Sequence, residues 1–420
     1  MQNKLSKSLV PALIGGAAGV TVSAGVLGAT GVAAYLARQL VVPPKRPVEN
    51  LKILALGYDT LEPTPEQNPR SIRLPITDTT RAPGTYGFYF DDSKSFALIG
   101  KVLSFSPSDE SVTREVSAVV SGDLNSASRG RISGVVAPTP AHAGYRASEI
   151  SLDLAVGSAP AWLIHPGAHQ KTKTEQASST WAIMVHGRGA TRAETLRALE
   201  STQALGMTSL HISYRNDREA PASDDGRYGL GFTEWEDVDT AIEYALQHGA
   251  QDVVLFGWSM GGSISLQAMD QAKNKKAIKA LVLDGPAVDW LHLIQYHSQL
   301  NRIPLFLGEL GVSMISKPLL NIFTGLKKPI DLARLSWTRR PQDIRVPTLI
   351  VHSLDDAFVP AASSQELAEK SNLVDFVAFK HASHTREWNV DSAAWRKSVT
   401  SWLAEKLSIS EADQQKVKKV

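Results

Sequence analysis

The hydrophobic positions along this chain follow one pattern after another, and each change of pattern marks a different kind of structure. From Leu9 to Ala37 the segment LVPALIGGAAGVTVSAGVLGATGVAAYLA carries no charge, with Lys4 and Lys7 before it and Arg38, Lys45 and Arg46 after it. A bilayer-crossing helix needs about 20 apolar residues, and this stretch exceeds the roughly 7 to 15 of a signal-peptide core. An uncleaved transmembrane helix is therefore expected, residues 1–46 forming a membrane anchor and linker. Cleavage after the small residues Val32, Ala33 and Ala34 would instead give a secreted protein, and a buried soluble helix is the third reading. Gly15 and Gly19 have the spacing of a helix-pairing face, which a stretch this rich in glycine and alanine produces by chance. The flanking cations nearly balance, so the positive-inside rule gives only a slight basis for placing the amino terminus inside and the remainder outside the cytoplasm.

Residues 47–150 read differently. Short β-branched and aromatic runs such as TYGFYF, FALIGKVLSF and VTREV are separated by turn residues, EISLDL alternates strictly, and SGDLNSASRG is a polar loop. These are strand signals, and they predict a β-rich accessory segment that leads into the antiparallel start of the next domain. Over 151–406, continuous apolar runs alternate with helical periods, which predicts a mostly parallel sheet with helices on both faces. The runs are APAWLIHP, TWAIMV, TSLHISY, DVVLF, IKALVLDG, VPTLIVHS and VDFVAF. HGRGATRAETLRALESTQALG predicts a helix ending at Gly206; Thr233 and Glu236 predict a capping box, with Gly249 closing that helix. DSAAWRKSVTSWLAEKL predicts a closing amphipathic helix, and 407–420 is a polar tail.

Composition narrows the function. The 420 residues, 43% hydrophobic, suffice for a large core. A formal charge of +2 from 44 basic and 42 acidic residues gives no electrostatic footprint for nucleic acid. With no cysteine, thiol catalysis, disulfides and cysteine-ligated zinc are excluded. No H-x-x-x-H pair falls on a helical stretch to supply a metal site, and SDDGRYG, counted from Asp224, has Trp235 in place of the twelfth-position glutamate of a calcium loop.

Three separated stretches carry the chemistry. In FGWSMGG, Ser259 stands between a strand and a helix, flanked by Gly257 and Gly261. There a sharp strained turn exposes the hydroxyl, and side chains at the glycines would clash with the strand and helix. A serine needs a base held by an acid. Asp356 in VHSLDDAFVP and His384 in FKHASHTREWNVD each follow a strand, so Ser259, Asp356 and His384 all fall at the carboxyl ends of strands, where open parallel sheets bind ligands. Asp355 and Asp284 are competing acids, and His381 is a competing base.

Over roughly residues 150 to 406 the chain resembles the α/β-hydrolase superfamily, on the motifs HGRG, GWSMGG, LDDAFVP and HASHTREW. YRND, DGRYGLGFTEWEDV and GWSMGG are similar to bacterial esterases and to the catalytic domain of prolyl-oligopeptidase-type peptidases, although the segment before the hydrolase region is too short for the latter's propeller. The resemblance implies a serine, aspartate and histidine triad at Ser259, Asp356 and His384, D-x-x-V-P favouring Asp356 and H-x-x-x-W favouring His384. It implies an oxyanion hole from the backbone amides of Met260 and Arg188, while His186 braces the loop. Arg188 could also meet a substrate anion through its side chain, or serve as an internal brace. An apolar insertion at about 287–340 sits where such folds carry a lid.

The reading is thus an α/β-hydrolase fold acting as a membrane-anchored serine hydrolase on a small-molecule or lipid-like ester, with no cofactor and no metal. A peptidase or amidase, an acyltransferase and a catalytically dead binding protein are the alternatives.

Overall fold

A computed structural model describes residues 22–60, 64, 67–167 and 179–417. The chain opens on helix α1 (Val22–Val41). An antiparallel sheet follows, built from β1 (Leu51–Lys52), β2 (Ala55–Gly57), β3 (Ser71–Pro75), the one-turn α2 (Asp78–Arg81), β4 (Tyr86–Phe90), β5 (Ser95–Ser106), β6 (Ser111–Ser121) and β7 (Arg129–Ser133). Its strand order is β1-β7-β4-β5-β6-β3-β2. Tyr86, Phe88, Phe90, Ile99, Ile72 and Val112 fill its own core, so these β-branched and aromatic runs have one face to bury and bury it within the sheet. Arg114 of β6 is buried there too and donates to the carbonyls of Thr80, Ala82, Gly84 and Gly100, which fixes the turn between α2 and β4.

The second sheet comprises β8 (Ser148–Leu154), β9 (Gly157–Ile164), β10 (Thr180–Val185), β11 (Ser209–Ile212), β12 (Asp252–Trp258), β13 (Ile278–Asp284), β14 (Thr348–Ser353) and β15 (Val374–Phe379). Its order is β15-β14-β13-β12-β10-β11-β9-β8. Only β8 and β9 run antiparallel to their neighbours; the other pairings are parallel. Every residue of β10 and β14 is buried, as expected for strands covered on both faces. The helices between and after the strands are α3 (Leu199–Ala204), α4 (Trp235–Gln247), α5 (Met260–Gln271), α6 (Trp290–Leu300), α7 (Leu305–Ser316), α8 (Ala362–Lys370), α9 (Glu387–Val390) and α10 (Ser392–Val417). Trp395, Val399 and Leu403 of α10 pack on one face, while residues of α4 and α5 join the larger core on the other.

Four of the expected features take the following form. Of the apolar segment, Leu9 to Thr21 lie outside the described residues, and no described helix is long and apolar enough to cross a membrane. Instead Ala33, Ala37 and Val41 of α1 are buried in the main core, beside Met314 and Ile315 of α7. Gly311 of α7 lies at this contact, where a Cβ would meet the Ala33 carbonyl oxygen at 3.6 Å, an ordinary van der Waals distance. Second, α4 begins at Trp235 with no side-chain cap from Thr233. The adjacent Glu234 turns inward and accepts from the amides of Gly229 and Gly231 at 2.6 and 2.9 Å. Third, the helix expected after β10 is mostly a 3₁₀ segment, Arg192–Ala198, with α3 only its last part. Finally, the apolar insertion forms α6 and α7, whose inner faces join the core, while Leu305 and Phe306 of α7 and Leu319 and Ile322 beyond its end stay exposed.

Candidate active site

Ser259 occupies the turn between β12 and α5 with φ 52° and ψ −115°, a backbone region that L-residues rarely adopt and that costs about 1–3 kcal/mol. The surroundings enforce it. Ser259 N–H donates to the Asp284 carbonyl at 3.0 Å, and the Ser259 carbonyl accepts from Gly262 and Ala287. A Cβ on Gly257 would lie 2.5 Å from the Gly261 carbonyl oxygen, and one on Gly261 only 2.1 Å from that of Val185. The two glycines therefore let strand, turn and helix close on one another, and the turn lifts the hydroxyl off the sheet.

Asp356 and His384 come to this hydroxyl from the ends of β14 and β15. Ser259 Oγ–H donates to His384 Nε2 at 2.8 Å, and His384 Nδ1–H donates to Asp356 Oδ2 at 2.7 Å. Because the carboxylate only accepts, it fixes the ring tautomer that leaves Nε2 free to take the serine proton. Asp356 Oδ1 accepts from the amides of Phe358 and Val359 at 2.8 and 2.9 Å. Burial pushes the Asp356 carboxyl up, but hydrogen bonds from His352 and His384 outweigh it and hold it well below the usual carboxylate range. The competitors are placed elsewhere: Asp355 accepts from the His381 amide, and Asp284 lies beneath the site, accepting from Trp395 Nε1 at 2.8 Å.

On the other side of Ser259, the loop after β10 carries Arg188, one of the expected oxyanion donors, while Met260, the other, opens α5. No described backbone carbonyl accepts from the Arg188 amide. Neighbouring groups hold the loop around that amide. The Gly187 amide donates to Glu194 Oε2 at 2.8 Å, and Tyr214 O–H donates to the carbonyls of His186 and Gly187. His186 is buried, stacks on Tyr214 at 4.4 Å and contacts Asp217 Oδ2 through Nε2 at 2.9 Å, so it braces the loop and does not face the serine. Burial lowers its pKa, but the hydrogen bond and charge of Asp217 outweigh that and hold it above the ordinary value. The Arg188 side chain turns away from Ser259 to the carbonyls of Gln39, Leu40 and Val42 at the end of α1.

Several residues of this environment were not singled out in the sequence. His352 Nε2 faces two acceptors, Val359 O at 2.9 Å and Asp356 Oδ2 at 3.3 Å, so it donates there and backs the acid. Its position at the end of a strand, four before Asp356, was the available signal. Under the histidine loop lies a buried charged group. Arg197 donates to the Thr385 carbonyl at 2.6 Å and to Asn389 Oδ1 at 3.1 Å, while Asn389 Nδ2 donates to the carbonyls of Thr85 and Gly134 in the first domain. Glu387 Oε1 accepts from the Ser353 amide at 2.8 Å. Burial, reinforced by the neighbouring Asp284, pushes the Glu387 carboxyl well up. Nothing in hydrophobic periodicity flags such partners, because each pair spans long sequence separations.

Around the mouth, Phe358 stands 5.0 Å from the His384 ring and 5.4 Å from His297 of α6. Beside the acid loop a shallow, partly open depression is lined mainly by apolar side chains, among them Pro286, Val288, Leu293 and Val359, together with His292 and Tyr296. Among the described residues no cluster of metal-ligating side chains occurs.

Residues 182–395, just over half of the 420, match the alpha/beta hydrolase family. Residues 62–133 match a domain of unknown function. No curated protein matches the chain. Among solved structures, an esterase of Pyrococcus furiosus is similar at 19% identity and TM-score 0.48, over 64% of this chain and 94% of its own. Est1E from Butyrivibrio proteoclasticus is similar at 19% identity and TM-score 0.45, over 62% and 99%. An esterase of Exiguobacterium antarcticum is similar at 16% identity and TM-score 0.42, over 61% and 100%.

Proposed function

The chain belongs to the alpha/beta hydrolase family, and from that premise we propose that it is a serine hydrolase cleaving carboxylic esters of small molecules. The observation that carries the reading is the continuous line from Ser259 Oγ to His384 Nε2 to Asp356 Oδ2, at 2.8 and 2.7 Å. Ser259 Oγ attacks the ester carbonyl carbon as its proton passes to His384 Nε2. The ionised Asp356 stabilises the imidazolium that forms. Charge moves onto the carbonyl oxygen, where the amides of Met260 and Arg188 receive it; one such donor is typically worth about 3 to 4 kcal/mol of barrier. The bond to the alcohol oxygen then breaks, and Nε2 returns the proton to that oxygen. Water loses a proton to His384 and attacks the acyl-serine, which frees the carboxylic acid and restores the Ser259 hydroxyl. The apolar side chains of Pro286, Val288 and Leu293 beside the acid loop favour an apolar acyl or alkyl group on the substrate.

The test is labelling of the full chain with a fluorophosphonate probe, with Ser259→Ala and His384→Ala as controls, followed by turnover of p-nitrophenyl esters and peptide anilides. Labelling at Ser259 that both variants lose, with esters turned over faster than anilides, is the expected result. Folded protein that takes no label would overturn the hydrolase reading in favour of a binding protein. Faster anilide cleavage would make it a peptidase, and product transfer to an added alcohol would make it an acyltransferase.

A further inference from the structure

The amino-terminal helix ends against the oxyanion loop. The last carbonyls of a helix have no partner inside it, and α1 meets this need with a residue of the catalytic domain. Arg188 Nη2–H donates to Gln39 O and Val42 O at 2.7 Å each, and Nε–H donates to Leu40 O at 3.1 Å. The cation also sits at the negative end of the helix dipole. Three further contacts lie at the same junction. The Tyr228 amide donates to the Val41 carbonyl at 2.8 Å, and the Arg188 guanidinium lies 5.7 Å from the centre of the Tyr228 ring. Gly189, at φ 70°, comes so close to Pro44 that a Cβ there would lie 2.3 Å from Pro44 Cγ. At its other side, α1 is buried against α7 through Ala33 and Ala37.

We propose that the Arg188 side chain is a positioning residue for the oxyanion hole, and that α1 is thereby a working part of the active site. The inference rests on the reading of Met260 and Arg188 as the oxyanion donors. The donor amide of Arg188 lies in the segment His186-Gly187-Arg188-Gly189, whose two glycines leave the backbone little intrinsic preference. On the upstream side the segment is held by Glu194 and Tyr214. On the downstream side the bond from Ala190 N–H to the Gly187 carbonyl, at 3.2 Å, is the local tie, and Arg218 Nη2–H donates to the Gly189 carbonyl at 3.2 Å. The guanidinium supplies a hold on Arg188 itself, by pinning the residue that owns the amide to a helix anchored in the core. A donor displaced by about 1 Å loses much of its effect on a developing charge, on the order of 10²-fold in rate.

The experiment compares full-length wild type, R188M and R188K by steady-state ester hydrolysis, by affinity for a trifluoromethyl ketone and by the rate of Ser259 phosphonylation, well below each melting temperature. The backbone amide is present in all three. R188M is expected to lower kcat about 10- to 100-fold with KM within about threefold, and to weaken the trifluoromethyl ketone in proportion; R188K, which keeps three donors on a cation, is expected to recover most of the loss. A folded R188M with kcat within about twofold of wild type overturns the proposal, as does a loss confined to KM or an R188K no better than R188M. If R188M does not fold, R188Q replaces it, and equal kcat in R188K and R188Q at wild-type level overturns the proposal in the same way. If wild type turns over no ester, the ester reading is what has failed, and the phosphonylation rates decide the role of Arg188 separately.

Discussion

Two loops flank Ser259, and they are held in contrasting ways. The base loop, 381–389, rests on buried polar groups: Arg197 under the Thr385 carbonyl, Glu387 on the Ser353 amide and Asn389 bridging to Thr85 and Gly134. The oxyanion loop, 186–189, is clamped by Glu194 and Tyr214 on one side and by the carboxyl end of an apolar helix on the other. The difference matches what each must do. In the proposed mechanism the base loop orients a ring that gains and loses a charge, so it needs a carboxylate and a fixed tautomer. The oxyanion loop of that mechanism must keep an amide empty until charge develops, and its neighbours bond instead to the Gly187 amide and to the carbonyls of His186 and Gly187. In both, one of the outer holds comes from the amino-terminal third of the chain, through the β-domain for one loop and α1 for the other.

The largest effect expected on the base side is from Asp356→Asn, which keeps the shape but permits the wrong tautomer. A kcat loss on the order of 10⁴-fold with little change in melting temperature is expected, and a loss under about tenfold would assign the orienting role elsewhere. Asn389→Ala comes next, because it leaves two carbonyls and the Arg197 donor short of a partner. At about 2 to 3 kcal/mol it should lower the melting temperature by roughly 4 to 8 °C. An unchanged transition would mean that the β-domain does not brace the base loop.

On the oxyanion side, Asp217→Asn tests the His186 clamp through its pH dependence. The folded pKa of His186 is raised, so the stability this adds is complete below the unfolded value of about 6.5 and is lost as pH rises through the folded one. Asp217 is itself lowered; burial opposes this, but the contact with His186 wins. Its own contribution is therefore present above about pH 3.9, its unfolded value. The destabilisation by Asp217→Asn should be greatest between about pH 4 and 6.5 and shrink above that window, and a flat difference across pH would dissolve the pairing. Glu387→Gln should have the smallest effect. Its raised carboxyl costs stability as pH climbs above about 4.3, so the neutral variant should match wild type near pH 4 and gain on it at higher pH. Equal pH profiles would show that Glu387 is not buried as an acid.

Much of the hydrolase domain was legible because its signals are local. β10 and β12 read as unbroken apolar runs, and Gly257 and Gly261 flag a turn whose backbone leaves no room for side chains. Ser259, Asp356 and His384 each follow such a run, and the sheet order brings the strand ends together. The Thr233 cap was misread because the sequence does not reveal that Glu234 spends its carboxylate on Gly229 and Gly231.

The sequence by itself determined that the segment around α1 must leave water, since an uncharged run rich in alanine, valine and leucine cannot remain exposed over its whole surface. It did not determine what would cover that segment. Lipid and protein core ask for the same apolar residues, and for the described helix only the tertiary structure showed α7 and the main core in that place. The partners of Arg188 and Asn389 are of the same kind: a side chain's donors are visible in the sequence, but the carbonyls that receive them lie about 150 to 300 residues away and are brought near only by the packing of the whole chain.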